Sequence, residues 1–170
     1  RADGSLDYSQ CFTMIENDII GADFAVANLE VPLAGKPYAG YPVFSGPDEF
    51  ARQLRNSGFD LLLTANNHCL DRGSRGAKRT IKILNDIGIP SIGTYASAGQ
   101  RDSVMPFIVG VKGKRIAMLN YTYGTNGMPM RDGIVVDLID RDIISRDIDE
   151  ARRKGAQVIC VCLHWGVEYR

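Results

Sequence analysis

Hydrophobic residues along this chain follow two patterns, one with the spacing of a helix and one with the short runs of a strand. Helical spacing predicts four helices, at residues 8–20, from 45–49 to a stop at Gly58, 76–87 and 140–154. Short apolar runs predict strands at residues 23–30, 59–64, 90–93, 134–138 and 157–163. The turn Lys112-Gly113-Lys114 between residues 107–111 and 115–120 predicts a β-hairpin.

Strands and helices thus alternate along the chain, with one antiparallel hairpin inserted. This alternation predicts an α/β layered architecture, in which helices cover the faces of a sheet. With 170 residues the chain is long enough to bury a sizeable core, and we expect a single domain over residues 1–170. A hydrophobic content of 45% and a charged content of 24% are typical of a soluble globular protein.

Charge and hydropathy argue against two classes of function. Basic and acidic residues number 20 each and form no basic run, so binding to nucleic acid through its phosphates is not expected. No apolar run approaches the roughly 20 residues that span a bilayer, so no membrane segment is predicted. Among the four cysteines, Cys160 and Cys162 share one face of a predicted strand, where a disulfide is strained. Buried free thiols are therefore the favoured interpretation for Cys11, Cys69, Cys160 and Cys162.

Candidate chemistry is concentrated where predicted strands end, and both histidines of the chain lie there. Polar side chains follow three strands: Asn28 with Glu30, Asn66, Asn67 and His68 with Asp71, and His164 with Glu168. The ends of parallel neighbouring strands align, so we expect these side chains to converge on the edge of one pocket. Oxygen and imidazole ligands suit Mn, Fe or Zn, and the matching chemistry is metal-assisted hydrolysis.

Several of these residues also have a simpler interpretation. Asn66 is equally suited to satisfying backbone groups of a turn. Asp71 is better suited to capping the next turn or orienting His68 than to binding a metal ion. Glu168 is compatible with a solvated surface position, and a single histidine at a strand end is usually just hydrogen-bonded. The functional interpretation gains weight because all three clusters occur at the same kind of position.

Three motifs carry a resemblance to a known family: ANLEVPL at residues 27–33, ANNHCLDRG at 65–73 and HWGVEY at 164–169. Together they closely resemble the bacterial capsule-synthesis proteins of the CapA type. That family is linked to poly-γ-glutamate capsule production and belongs to the calcineurin-like metallophosphoesterase fold group. The resemblance extends over essentially the whole chain and implies a layered αββα architecture.

The resemblance also implies roles for individual residues. Asn67 corresponds to a metal-binding asparagine, His68 to the acid or charge stabiliser beside it, and His164 to a later metal-binding histidine. Glu30 or Asn28 occupies the strand-end position that normally holds a bridging aspartate. A divalent ion such as Mn, Fe or Zn is the implied cofactor. Asn66, Asp71 and Glu168 are expected to support these groups.

The chain departs from the family pattern at two places. It lacks the opening strand that ends in Gly-Asp and the closing Gly-His-x-His motif. We therefore expect an internal segment of a longer domain, with a fold incomplete at both ends and an incomplete set of metal ligands. An exposed sheet edge is expected as well, which another copy of the chain could complete by self-association.

The family resemblance implies a protein of poly-γ-glutamate capsule biosynthesis. In its complete form it would be a divalent-metal-dependent phosphoester hydrolase that meets an anionic capsule polymer or a phosphoester substrate. Two alternatives stay open. One is a non-catalytic structural or polymer-handling component of capsule export, and the other, with weaker support, is an amide-bond enzyme acting on the polymer. A membrane-associated or extracytoplasmic location in a bacterium is the implied setting.

Overall fold

The computed structural model describes residues 6–167 and has a mixed α/β fold. Its helices are α1 (Glu16–Gly21), α2 (Asp48–Asn56), α3 (Gly73–Ile87), α4 (Ala98–Val104) and α5 (Arg141–Arg153). Its strands are β1 (Val26–Asn28), β2 (Leu61–Leu63), β3 (Ser91–Ile92), β4 (Thr94–Tyr95), β5 (Phe107–Val111), β6 (Lys114–Thr122), β7 (Val135–Val136) and β8 (Val158–His164). The predicted α/β class is therefore confirmed.

The strands form two three-stranded sheets and one short pair. Strands β1, β2 and β3 are parallel, with Ala27 opposite Leu62 and Leu63 opposite Ile92. In the second sheet β6 lies in the centre, antiparallel to β5 and parallel to β8. Strands β4 and β7 pair in an antiparallel direction. The predicted hairpin is confirmed as β5 and β6.

The core lies on both faces of the first sheet. Leu62 of β2 is fully buried in a cluster that contains Leu84 of α3. Its neighbour Leu61 belongs to a second cluster with Met118 of β6, against which Ile144 of α5 packs. Successive strand residues point to opposite faces, so one strand contributes to both clusters. The sheets therefore lie between helices on either side, as expected for a layered α/β fold.

A close approach of backbones joins the two larger sheets near the ends of their strands. The side-chain oxygen Oδ1 of Asn120, in β6, accepts a hydrogen bond of 2.8 Å from the backbone N–H of Ala65. Gly93 lies against this contact with φ +107°, and a Cβ there would be 2.3 Å from Asn120 Oδ1. Only glycine fits this position, because any side chain would push the sheets apart.

The predicted helices differ from the structure in two ways: one prediction is wrong in part, and one helix was not predicted. The helix predicted at residues 8–20 is wrong over its first half, which forms successive turns, and α1 begins only at Glu16. The ring of Phe12 packs edge-on against Phe59 at 5.6 Å, so aromatic packing rather than a helical stripe explains its apolar character. Helix α4 was not predicted, because none of its residues is buried and it therefore carries no apolar stripe.

The prediction of buried cysteines holds only for Cys69. Cys11, in the turns before α1, is exposed. Cys160 is exposed and Cys162 is half-buried because β8 pairs with one neighbour among residues 6–167 and leaves much of its surface open. The sulfur atoms of Cys160 and Cys162 lie 3.9 Å apart as free thiols. Exposed apolar residues such as Leu163 make β8 an open sheet edge. Self-association through that edge stays a prediction.

Helices long and apolar enough to cross a membrane are not found among residues 6–167.

Candidate functional site

The ends of three strands bring the predicted site residues together. Strands β1 and β2 run side by side, and beyond them the N–H of Leu29 still donates to the carbonyl of Leu63 at 2.9 Å. Strand β8 ends at His164, whose carbonyl accepts from the N–H of Tyr123 at 2.9 Å. These strand ends carry an amide, an imidazole and a carboxylate to one place on the surface.

The centre of this group consists of Glu30, Asn67 and His164. The Nε2 atom of His164 lies 2.8 Å from Oδ1 of Asn67 and 3.9 Å from Oε1 of Glu30. Asn67 is buried, with 2% of its surface exposed. The side chains of His164 and Glu30 are 26% and 44% exposed. The group therefore combines the buried amide of Asn67 with the side chains of His164 and Glu30, which are partly open to solvent.

The donor types of this group, an amide oxygen, an imidazole nitrogen and a carboxylate oxygen, suit a divalent ion, although their spacing differs from that of bound ligands. With bonds of about 2.1 Å, two ligands of one ion lie roughly 3.0–3.4 Å from each other. The two separations measured at His164 Nε2 fall on either side of this range. As placed, a proton on His164 Nε2 joins it to the amide oxygen of Asn67, and an ion would take the place of that proton. Within residues 6–167, no three His, Cys, Asp or Glu side chains converge as a metal cage, so the third donor is an amide.

Asn28 and Asn66 hold this centre in position rather than adding donors to it. The Nδ2 group of Asn28 donates to Oε2 of Glu30 at 2.8 Å, and the Nδ2 group of Asn66 donates to Oδ1 of Asn28 at 3.2 Å. Asn66 Nδ2 also donates to the carbonyl of Leu29 at 2.8 Å, while its Oδ1 accepts from the N–H of His68 at 3.1 Å. The side chain beside His164 is therefore that of Glu30 and not that of Asn28. Asn66 satisfies backbone groups of the turn.

His68 is fixed by a carboxylate behind its ring. Its Nδ1 lies 2.8 Å from Oδ2 of Asp71, and both side chains are largely buried. The same carboxylate oxygen accepts from the N–H of Phe44 at 2.8 Å, and the ring of Phe44 meets the imidazole edge-on at 4.5 Å. A proton on Nδ1 that bonds to Asp71 leaves the lone pair on Nε2, so the free nitrogen is the one able to exchange a proton.

Asn126 was not predicted as a site residue from the sequence. It lies beside His68 and bonds Asn67, whose Oδ1 in turn is bonded to His164. Its Oδ1 accepts from Nδ2 of Asn67 at 3.2 Å, and its own Nδ2 lies 3.5 Å from Nδ1 of His68. Asn126 has φ +50°, and the pair Asn126-Gly127 is a common turn signal. That signal predicts a turn but not its contact with residues more than fifty positions earlier in the chain.

A cavity of about 660 Å³ opens beside these residues. The ring of Tyr123 stacks on His164, with centroids 6.1 Å apart and planes 12° from parallel, and forms part of the wall. The lining residues are Tyr41, Pro42, His68, Tyr123, Asn126, Gly166 and Val167. Aromatic and apolar walls with a few polar groups are typical of a ligand site. Glu168, predicted as a supporting residue, lies outside the described residues.

Cys69, next to His68, is unsuited to metal binding despite its position. Burial raises the pKa of its thiol to about 12. A thiol binds metal as the thiolate, so this group stays protonated and inert near neutral pH. The candidate donors are thus the oxygen and imidazole groups at the strand ends.

An α/β fold that gathers asparagine, histidine and glutamate at its strand ends agrees with the metallophosphoesterase-like class of proteins. The chain belongs to the bacterial capsule synthesis protein family PGA_cap, whose family model matches residues 1–170. The resemblance stated from the motifs is therefore confirmed.

Two curated relatives support this membership. The chain is 27% identical over 161 residues to the capsule biosynthesis protein CapA of Bacillus anthracis, covering 87% of this chain and 38% of that protein. It is 29% identical over 123 residues to the PGA biosynthesis protein CapA of Bacillus subtilis strain 168, covering 71% of this chain and 32% of that protein. The matched segment thus spans about a third of the length of these relatives.

Proposed function

We propose that this chain takes part in capsule polymer biosynthesis and carries part of a divalent-metal-dependent phosphoester hydrolase site. The observation that supports this most is the approach of His164 Nε2 to within 2.8 Å of Asn67 Oδ1 and 3.9 Å of Glu30 Oε1. These residues are far apart in the sequence, and a shared site explains why three strands end in metal-binding groups at one point. The names of the curated relatives support the capsule context.

In this proposal Glu30, Asn67 and His164 hold the ion. A bound Mn, Fe or Zn ion would lower the pKa of a coordinated water and polarise a phosphoryl oxygen. Such ions take four to six ligands, so three side chains leave positions for water, substrate or further protein donors. The partly exposed carboxylate and imidazole leave the open side of the site toward solvent.

His68 moves a proton in the proposed reaction. Its Nε2 is the nitrogen that Asp71 leaves free, and the ring is one of the walls of the cavity. Asp71 fixes the orientation of the imidazole and stabilises the positive charge that forms when Nε2 takes up a proton. The protonated ring then donates to the leaving-group oxygen of the ester. Asn126 contacts both His68 and Asn67 of the proposed metal-binding group.

The test is hydrolysis of bis(p-nitrophenyl) phosphate and p-nitrophenyl phosphate by the full chain with added manganese. In the protein at its natural length we expect manganese-dependent turnover that falls by about 10²-fold or more in His68→Gln, the usual contribution of a general acid. His164→Ala should reduce both turnover and manganese affinity. The control variants Asn85→Ala and Glu16→Gln alter exposed polar side chains of α3 and α1 and should change neither property.

Two outcomes would contradict the hydrolase role. Turnover that is unaffected by chelation or by His68→Gln would remove the proposed chemistry. Manganese binding through His164 with no turnover of either ester would favour the alternative, a non-catalytic polymer-handling component that keeps the metal site for structure.

A further inference from the structure

A second cavity, of about 540 Å³, has a lining different from that of the cavity beside the candidate metal site. It is formed by residues 34–37 and the first turn of α3. Four basic side chains line it: Lys36, Arg72, Arg75 and Arg79. No role in the proposed hydrolysis involves any of them.

The positive charge of this cavity is largely uncompensated. Arg79 is neutralised by Asp48, with Nη1–Oδ1 and Nη2–Oδ2 distances of 2.7 and 3.0 Å. Lys36, Arg72 and Arg75 have no carboxylate within ion-pair distance in the part of the chain that the structure describes. Like charges that share a cavity repel one another, and the chain as a whole is neutral. Folding alone does not explain why three cations are gathered here.

Two of the arginines form a fixed wall. Arg72 donates from Nε and Nη2 to the carbonyls of Phe44 and Val43, each at 3.2 Å. Arg79 donates to the carbonyl of Leu33 in addition to Asp48. A guanidinium has five N–H donors, so Arg72 keeps further donors for a ligand. Lys36 and Arg75 are exposed, and no hydrogen bond ties their charged groups to another described residue.

Two glycines, Gly35 and Gly76, line this cavity. A Cβ on Gly76 would lie 2.4 Å from Cβ of Arg72, which would have to shift, and 3.3 Å from Cβ of Ala34 in the loop, which is a tight contact. Gly35 has φ +84°, and a Cβ there would contact Nε of Arg79 at 3.5 Å. Side chains at these positions would crowd or cover the guanidinium groups. Their absence leaves the cationic wall accessible.

We propose that this cavity is a binding site for an oxyanion-bearing ligand, with carboxylate or phosphate groups held by Lys36, Arg72 and Arg75. Arginine groups match the paired oxygens of both anions, and Arg72, which is half-buried, is already held in place by its bonds to Phe44 and Val43. The site shares no lining residue with the cavity beside the candidate metal centre, although Phe44 contacts residues of both regions. Phe44 accepts from Arg72 on one side, and its ring contacts His68 on the other.

The test is isothermal titration of the full chain with two probes, pyrophosphate and a short oligomer of glutamate, at low ionic strength. We expect at least one probe to bind and the double variant Lys36→Gln/Arg75→Gln to weaken that binding about tenfold or more, equivalent to 1.4 kcal/mol or more. The matched control Arg52→Gln/Lys114→Gln removes the same two charges from exposed positions elsewhere and should leave binding unchanged. Amide NMR shifts should locate the bound probe at Gly35 and Gly76.

Each outcome has a definite meaning. Binding of pyrophosphate alone identifies a phosphate-bearing ligand, and binding of the glutamate oligomer alone identifies a polycarboxylate. The proposal is overturned if neither probe binds, or if the control variant weakens binding as much as the double variant does. His164→Ala should leave probe binding intact. Failure of this proposal is therefore distinguishable from failure of the hydrolase proposal, on which it does not depend.

Discussion

Two polar clusters in this molecule have similar chemistry and opposite accessibility. One is the group at the strand ends, where the side chains of Glu30 and His164 are 44% and 26% exposed. The other lies between α4, β7 and α5, where the side chains of Arg101, Asp137 and Asp147 are 14%, 3% and 8% exposed. Both contain ionisable residues from distant parts of the sequence, but the side chains of the second cluster are much less exposed to solvent.

The enclosed cluster is closed in its hydrogen bonding as well. Arg101 pairs through Nε with Asp137 at 2.5 Å and through Nη2 with Asp147. The hydroxyl of Tyr121 donates to Asp147 at 2.8 Å, and that of Tyr95 donates to Asp137 at 3.2 Å. Burial raises the pKa of Asp137, although Arg101 acts in the opposite direction. The charged groups bond to one another and to the two tyrosine hydroxyls, so this cluster links α4 and α5 to the segment after β7.

The largest effect that would test this comparison is expected from Arg101→Met. Removing the cation leaves two buried carboxylates without a counter-charge, and breaking a buried pair costs about 3–5 kcal/mol of unfolding free energy. Urea denaturation measures this loss. Arg141→Met, at an exposed position of α5, should change stability by less than about 0.5 kcal/mol. A loss as small in Arg101→Met would show that the enclosed cluster is not structural.

The pH dependence of the same variant gives a second test. Without Arg101, burial keeps the folded-state pKa of Asp137 above its unfolded value. A raised carboxyl pKa contributes stability below the unfolded pKa, and this contribution is lost as the pH rises through the folded pKa. The deficit of Arg101→Met relative to the wild type should therefore be largest at neutral pH and shrink toward pH ~4. A deficit that grows on acidification would contradict this assignment of charge.

A smaller loss of stability is expected when the buried support of the open cluster is removed. Asn66→Ala removes the hydrogen bonds to the carbonyl of Leu29 and from the N–H of His68. A hydrogen bond contributes about 0.5–1.5 kcal/mol net, so we expect a loss of about 1–3 kcal/mol for the two together. Thermal or urea unfolding should show this loss, whereas Asn85→Ala should not. Equal stability of the two variants would mean that Asn66 is not the anchor of the turn.

The smallest change in stability is expected at the exposed rim of the open cluster. Glu30→Gln should alter the free energy of unfolding by less than about 0.5 kcal/mol, because the side chain is partly solvated. Its affinity for manganese should nevertheless fall about tenfold or more. The combination of unchanged stability and weakened metal binding is what separates this cluster from the enclosed one. Destabilisation comparable to that of Arg101→Met would erase the distinction.

The open cluster was largely predictable from the sequence, whereas the enclosed one was not. His68 and His164 each close an apolar run, but β2 and β8 lie in different sheets. Alignment of parallel neighbours therefore accounts for the approach of Glu30 and Asn67, beyond β1 and β2, and not for that of His164. Arg101, Asp137 and Asp147 resemble ordinary surface charges in the sequence, since nothing local shows that separate elements will enclose them. Asn126 was likewise not predictable, because nothing local in the sequence shows that its loop will contact Asn67.

The secondary structure shows the same division. Helix α5 and the β5–β6 hairpin were predicted because periodicity and turn residues are strong there. Helix α4 buries none of its residues and starts with a Ser97 cap, whose Oγ accepts from the N–H of Gln100 at 3.2 Å. A short helix defined by its cap rather than by an apolar stripe gives no periodic signal.

The most direct test of the central claim is manganese binding by the wild type, His164→Ala and His68→Gln, measured by isothermal titration and electron paramagnetic resonance. The chain has only these two histidines, and our account gives them different roles. We predict that His164→Ala weakens manganese binding about tenfold or more, whereas His68→Gln leaves the affinity nearly unchanged. Wild-type affinity in His164→Ala, or equal loss in both variants, would contradict the assignment of Glu30, Asn67 and His164 as the metal-binding group.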